Sequence, residues 1–279
     1  MVIWYWICNS LPFEMLHWDF MKNALLAILL IGPLFGLTST MIVSGRMSFF
    51  SDALGHSAFT GIAIGSLCGI MAPTWAAVIF SVVFALLFSY VRSKSNQAAD
   101  TLIGVFSSTA VALGVFVATL GSGSFSKYNK YLIGDILSVT PAEIGLLALV
   151  LLGVLIFWVV CSNRLVLTAS HPHLASSRGV RTGLIQTVFT VMISVVVTLA
   201  ISWVGLLILN SLLVLPGASS RNISRNLRQY SLFSVLFALI SGVTGLCISY
   251  HLGASTGAAI CLVLAFIFIL TFCIRKVRY

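Results

Sequence analysis

Charge is scarce in this chain. Of its 279 residues only 8% are Asp, Glu, Lys or Arg, and just six are acidic. A soluble domain carries about 25% charged residues, so these side chains could not cover a surface facing water. Nucleotide-binding loops are absent too. There is no Gly-x-x-x-x-Gly-Lys-Ser/Thr and no Gly-Lys dipeptide anywhere, so any ATP hydrolysis coupled to this chain belongs to another. No His-Glu-x-x-His pair is present. The six cysteines form no Cys-x-x-Cys, and they read as small buried hydrophobes rather than a disulfide framework or a zinc knuckle. Nor is there a low-complexity tract or a soluble linker. One membrane domain, residues 1–279, is expected.

What the chain has instead is apolar length. Hydrophobic residues make up 59% of it, in runs of about 20, each able to cross a bilayer core of about 30 Å as a helix. Barrel strands would alternate polar and apolar, so the fold class is all-α and multi-pass. An aromatic segment, residues 1–21, with Trp4, Tyr5, Trp6 and Trp18, suits the membrane interface. It lacks the basic start of a cleavable leader. Spans are expected near Asn23–Val43, Ser57–Met71, Thr74–Val91, Thr101–Leu120, Ala142–Cys161, Tyr230–His251 and Ala254–Ile274. Gly183–Pro216 is 34 residues of almost unbroken apolar character. That is too long for one helix and short for two, so it is expected to hold a full span and a short or re-entrant one ending near Pro216. The total is nine.

Basic residues orient the chain. With the N-terminus outside and nine spans, the inner connections hold Arg46, Arg92, Lys94, Arg164, Arg178, Arg181, Arg221, Arg225, Arg228, Arg275, Lys276 and Arg278. Only Lys22, Lys127 and Lys130 stay outside. Cytoplasmic loops collect Lys and Arg in this way, so the formal charge of +9 reflects topology and not a nucleic-acid partner.

Few residues can carry chemistry. Glu14, Asp19, Asp100 and Glu143 lie in the interfacial stretch or at span starts, ordinary places for acids beside helix N-termini. Asp52 and His56 differ. Four residues apart, they share one helix face at the entry to the second span. Spacing alone admits two readings, a ligand pair for a first-row divalent cation or a hydrogen-bonded pair that fixes packing. Ser57, Gly61, Gly65 and Gly69 recur every fourth residue on an adjacent face, a stripe that lets another helix come close. Asp135 lies in an external polar stretch, where it either caps a short helix or draws cations inward. His171 and His173 flank Pro172 in an inner connection, where two loop histidines are ordinarily just solvated. After Pro216, the segment Gly217, Ala218, Arg221, Arg225 and Arg228 reads either as an inner anchor or as a helix that docks into a partner.

Four segments, in order, carry a family resemblance. They are Arg46 through Asp52-Ala53-Leu54-Gly55-His56 to Gly61; Tyr131-Leu132-Ile133-Gly134-Asp135-Ile136-Leu137; Val204 through Pro216 to Arg221; and Tyr250 through Ala258-Ala259-Ile260. Together they resemble the membrane permeases of bacterial ABC importers for zinc, manganese and iron, over about Phe13 to Phe272. The resemblance implies a type II ABC importer-like permease in the inner membrane, working beside a second permease (a copy or a paralogue). It implies a cytoplasmic ATP-binding subunit and an extracytoplasmic metal-binding protein as partners. Asp52 and His56 match the pore metal ligands it implies, and Pro216–Arg221 its coupling element to the ATPase. The transported ion would be cargo, with no resident cofactor and no catalytic residue. Three departures stand out: His171 where an acid is frequent, Pro216-Gly217-Ala218 where the family has Pro-Ala-Ala, and Ser255-Thr256 where Pro-Ser or Pro-Ala is usual.

Other readings of the same residues are a permease for a metal chelate, an ion-coupled secondary carrier and an intramembrane metalloenzyme. The second would call for more intramembrane acids and an internal repeat, the third for another protein ligand.

Overall fold

Every regular element found among the described residues is a helix, as the apolar runs require. The computed structural model describes residues 2–9, 14–69, 73–95, 97–120, 129–170 and 172–278. α1 (Val2–Asn9) and a 3₁₀ turn (Glu14–His17) precede α2 (Asp19–Ser44), α3 (Phe50–Leu67), α4 (Pro73–Lys94) and α5 (Ala99–Leu120). The short α6 (Asn129–Ile133) and a 3₁₀ turn (Ile136–Ser138) lead into α7 (Pro141–Ser170) and the short α8 (Pro172–Ser177). Then come α9 (Thr182–Val204), α10 (Leu206–Ile223), α11 (Leu227–Leu252) and α12 (Thr256–Arg278).

Seven of the described helices are long and apolar enough to cross a bilayer: α2, α4, α5, α7, α9, α11 and α12. The sequence reading expects nine. Its two others correspond to α3 and α10, each 18 residues, about 27 Å at the helical rise. Both are diluted by polar residues, among them Ser51, Asp52 and His56 in α3 and Asn210, Ser211 and Arg221 in α10. Several boundaries differ from expectation, and α7 runs on to Ser170, nine residues past Cys161. α3 starts at Phe50 instead of Ser57, because Phe50 is buried and stacks on Phe88 of α4 at 4.4 Å between ring centroids. α10 runs through Pro216 to Ile223 and does not end there.

The chain divides into two compact units. The first holds Met1–Thr40, Asp135–Phe157 and Ser211–Tyr279. In it α2 and α11 come together at Gly36, where an added Cβ would lie 2.6 Å from the Val235 Cα. Ser234 donates to the Gly36 carbonyl at 2.7 Å. α11 meets α12 as closely at Gly245, beside Ile260. Small residues at crossings are how helices pack in lipid, where no hydrophobic force drives them together. The aromatic N-terminal segment is tied to the start of α2: the Trp4 indole donates to the Lys22 carbonyl, and the Tyr5 hydroxyl donates to Asn23 Oδ1.

The second unit holds Met41–Gly134 and Trp158–Asn210. Its centre is α3, which packs against α4, α5 and α9. A Cβ on Gly61 would sit 2.6 Å from the Ala77 Cα of α4, and one on Gly65 would sit 2.8 Å from the Ala76 Cβ. Ser57 joins them, donating to Ser81 of α4. Three members of the expected small-residue stripe thus seat α4. Gly69 does not, because α3 ends at Leu67 and Gly69 faces open space. On another face, Thr60 donates to the Ala110 carbonyl of α5 at 2.8 Å.

Outward faces are apolar. Ile79, Val83, Leu86, Leu87 and Tyr90 line one side of α4 and all are exposed; Leu262, Phe266, Ile269 and Leu270 do the same on α12. Such stripes would be a liability in water and are the natural surface toward lipid chains.

Candidate metal-ligand site

Asp52 lies in the first turn of α3, and the residue before that helix, Phe49, supplies no side-chain cap. A carboxylate there is favoured by the N-terminal end of the helix dipole. Because α3 begins at Phe50, Asp52 and His56 are both within regular helix, and the four-residue spacing holds them on one face. His56 Nε2 stands 3.6 Å from Asp52 Oδ2. That is long for a hydrogen bond. It is close to the separation of about 3.4 Å that two ligand atoms take at about 2.1 Å from a tetrahedral zinc. The side chains are 26% exposed for His56 and 40% for Asp52, so an ion could reach both.

Ser107 of α5 and the next turn of α3 frame the pair. The Ser107 hydroxyl approaches Asp52 Oδ2 at 3.5 Å, and Thr60 continues the same α3 face one turn on. Beside Asp52, Ser51 hydrogen-bonds to Asn210 of α10. Ser107 and Asn210 escape sequence reasoning, because short polar residues in an apolar run have no motif to mark them. Among the described residues no three His, Cys, Asp or Glu side chains gather closely enough to hold a metal. The pair therefore brings together two candidate donors, a carboxylate oxygen and an imidazole nitrogen. Such a donor set suits zinc, manganese or ferrous ions.

The remaining candidates are dispersed. Asp135 is the N-cap of the 3₁₀ turn that follows it, and its carboxylate accepts from the Leu137 amide at 3.0 Å. It belongs to no cluster of three or more His, Cys, Asp or Glu side chains among the described residues. His171 and the side chain of His173 lie outside the described residues. Pro216, Gly217 and Ala218 form no turn: they sit inside α10. A proline there removes one helical N–H and crowds the preceding turn. Ser39 of α2 offsets the damage, accepting from the Gly217 amide at 2.8 Å and donating to the Val214 carbonyl at 3.3 Å. Arg221 lies in the last turn of α10, Arg225 in the connection and Arg228 in the first turn of α11; all three are exposed. That connection is held firmly, since Ser220 donates to the Tyr230 carbonyl and the Tyr230 hydroxyl donates to the Thr40 carbonyl.

One Gly-x-Ser-x-Gly match occurs, from Gly253 to Gly257. It occupies the turn between α11 and α12, not the strand-to-helix turn that such a nucleophile needs, so it carries no catalytic argument.

Comparison with known proteins identifies a family and a fold. The model of the ABC 3 transport family matches residues 17–275. Over 258 residues the chain is 29% identical to a manganese import system permease protein of Streptococcus parasanguinis, covering 92% of this chain and 91% of the relative. Over 234 residues it is 27% identical to a high-affinity zinc uptake system membrane protein of Haemophilus influenzae, covering 82% and 88%. Among solved structures, PsaBC from Streptococcus pneumoniae in complex with Fab superposes with a TM-score of 0.81 at 24% identity, over 98% of this chain and 95% of that one. A metal-chelate type ABC transporter in an inward-facing conformation gives 0.72 at 15% identity, over 100% and 96%. At these identities the two structures speak for the fold.

Proposed function

We propose that this chain, which belongs to the ABC 3 transport family, is the membrane permease of an importer for a divalent transition-metal ion. The observation that carries the proposal is the Asp52–His56 pair, whose facing oxygen and nitrogen are spaced as two ligands of one small cation would be. The names of its relatives, importers of manganese and zinc, point to the same cargo.

In this reading the whole chain acts as one permease in the bacterial inner membrane, with α3 and α10 counted as its eighth and ninth spans. Two permeases face each other, and each contributes Asp52 and His56. Four protein ligands then satisfy a tetrahedral ion while it waits in the pathway. Carboxylate and imidazole hold it weakly enough to let it go. An extracytoplasmic binding protein delivers the ion, with Asp135 near the entrance. A separate ATP-binding subunit docks on the cytoplasmic face against the end of α10 and the connection beyond it, around Pro216, Gly217, Ala218, Arg221 and Arg225. ATP binding and hydrolysis in that subunit rock the helices between outward and inward access. The permease makes and breaks no covalent bond.

Reconstitution tests this directly. The chain, its ATP-binding subunit and its binding protein are placed in proteoliposomes, and zinc, manganese and iron uptake are measured separately beside ATP hydrolysis. Asp52→Ala and His56→Ala should abolish uptake of the cargo while assembly and ATP hydrolysis persist. Uptake at the wild-type rate in both variants would make the pair a packing feature.

A further inference from the structure

The second unit contains a cavity of about 460 Å³ between the C-terminal end of α4 and the N-terminal end of α9. It plays no part in the site above. Its polar wall includes Ser89, Arg92, Gln186 and Thr187, and no acidic residue is among the described residues that line it. Its outer rim includes Leu86 and Tyr90, both on the exposed apolar stripe of α4. The distribution of basic residues assigns these helix ends to the cytoplasmic face.

Arg92 is the central feature. Its guanidinium reaches the Met47 thioether at 3.2 Å, a weak acceptor that leaves most of its donors unused. Among the described residues no carboxylate lies within ion-pair distance of it. A half-buried guanidinium without a counter-charge is costly. The opposite wall adds a second attraction for an anion. Arg181, at the N-cap of α9, makes no side-chain cap, so the first-turn amides keep their donors and the positive end of the dipole is open. Gly183 lines the cavity there, and a Cβ added to it would meet only open space. Ser89 and Thr187 hydrogen-bond to each other across the two helices, fixing their approach.

We propose that this cavity binds a phosphate-bearing anion, the headgroup of an anionic lipid of the cytoplasmic leaflet. Arg92 pairs with the phosphate oxygens in the forked geometry that guanidinium groups favour. The start of α9 donates from the other side, and Gln186 takes the headgroup's remaining polar atoms. The apolar rim at Leu86 and Tyr90 lies where acyl chains would leave. That rim favours a lipid over a free ion.

The test uses the purified full-length chain in detergent. It is titrated with phosphatidylglycerol, with phosphatidylcholine and, separately, with inorganic phosphate, and retained ligand is read by native mass spectrometry and thermal stabilisation. Wild type should retain phosphatidylglycerol in preference to phosphatidylcholine. Arg92→Gln should weaken that retention by roughly tenfold or more, the loss expected for a charge-assisted pair. Gly183→Leu, which puts a bulky side chain on a cavity-lining residue with open space around its α-carbon, should abolish it without lowering the melting temperature of the lipid-free chain, which keeps the test valid if Arg92→Gln folds poorly. Equal retention by wild type and Gly183→Leu, or no preference for the anionic lipid, would overturn the proposal. Binding of inorganic phosphate in place of the lipid, lost in both variants, would keep the anion site and overturn the lipid as its source.

Discussion

Gly134 and Gly205 meet backbone to backbone: a Cβ on Gly134 would collide with the main chain of Val204 and Gly205, and one on Gly205 with that of Ile133 and Gly134. Both have positive φ, 72° and 86°. The helical break between α9 and α10 is therefore braced by the residue that ends the α6 segment. Gly205→Ala and Gly134→Ala should each cost about 1–3 kcal/mol from backbone strain alone, and more from the collision. Thermal unfolding in detergent checks this, with Gly145→Ala as a control. Gly145 is helical with open space around its α-carbon, so its melting temperature should hold or rise slightly.

The approach of α3 and α4 makes a second prediction. Gly61→Ala places a Cβ 2.6 Å from the Ala77 Cα, which helix backbone cannot yield without separating the pair. Overpacking of this kind costs about 1–3 kcal/mol. Gly104→Ala on α5, where nothing stands within contact, should be tolerated. Because α3 also carries Asp52 and His56, Gly61→Ala should lower metal uptake along with stability. Measuring both on the same preparation would expose a variant in which they part company.

Much of this was legible in the sequence, and most of the misses share a cause. Long apolar runs announce spans by length alone, and the excess length of Gly183–Pro216 announces a break, found at Gly205. The Asp52–His56 face follows from helical period. What was not legible depends on partners far along the chain. α3 begins early because Phe50 stacks on Phe88. α10 survives Pro216 because Ser39, 178 residues from Gly217, receives the displaced amide. Ser107 reaches Asp52 from 55 residues away. No local pattern encodes such pairings. Gly69 failed as a packing residue for the opposite reason: the four-residue period continues past the point where the helix stops.

Ser39 supplies a third prediction. Ser39→Ala removes the acceptor of the buried Gly217 amide, and an unsatisfied buried donor costs about 1–3 kcal/mol. The loss should be local. Hydrogen exchange at the amides of Gly217 and its neighbours in α10 should speed up before global unfolding does. If exchange there is unchanged, α10 tolerates Pro216 without help from α2.

The exposed arginines can be separated into structural and interface roles by where each stands on its helix. Arg221 lies in the last turn of α10, where a cation is favoured by the helix dipole, so Arg221→Glu carries its own stability cost of about 0.3–1 kcal/mol and is an ambiguous probe. Arg228 occupies the first turn of α11, which holds no acidic residue. There the dipole favours a carboxylate, so Arg228→Glu should leave the melting temperature unchanged or raise it slightly. If this connection docks an ATP-binding subunit, the same substitution should weaken that association, more at low salt than at high, since exposed charges are screened beyond about 10 Å at 0.1 M ionic strength. Arg225→Glu, in the connection itself, should behave alike. A pull-down of the ATP-binding subunit across a salt series reads the affinity, and thermal unfolding of the isolated permease reads the fold. Loss of association without loss of stability assigns the arginines to the interface. Association that survives both reversals leaves them as the positive anchors that inner connections of membrane proteins ordinarily carry.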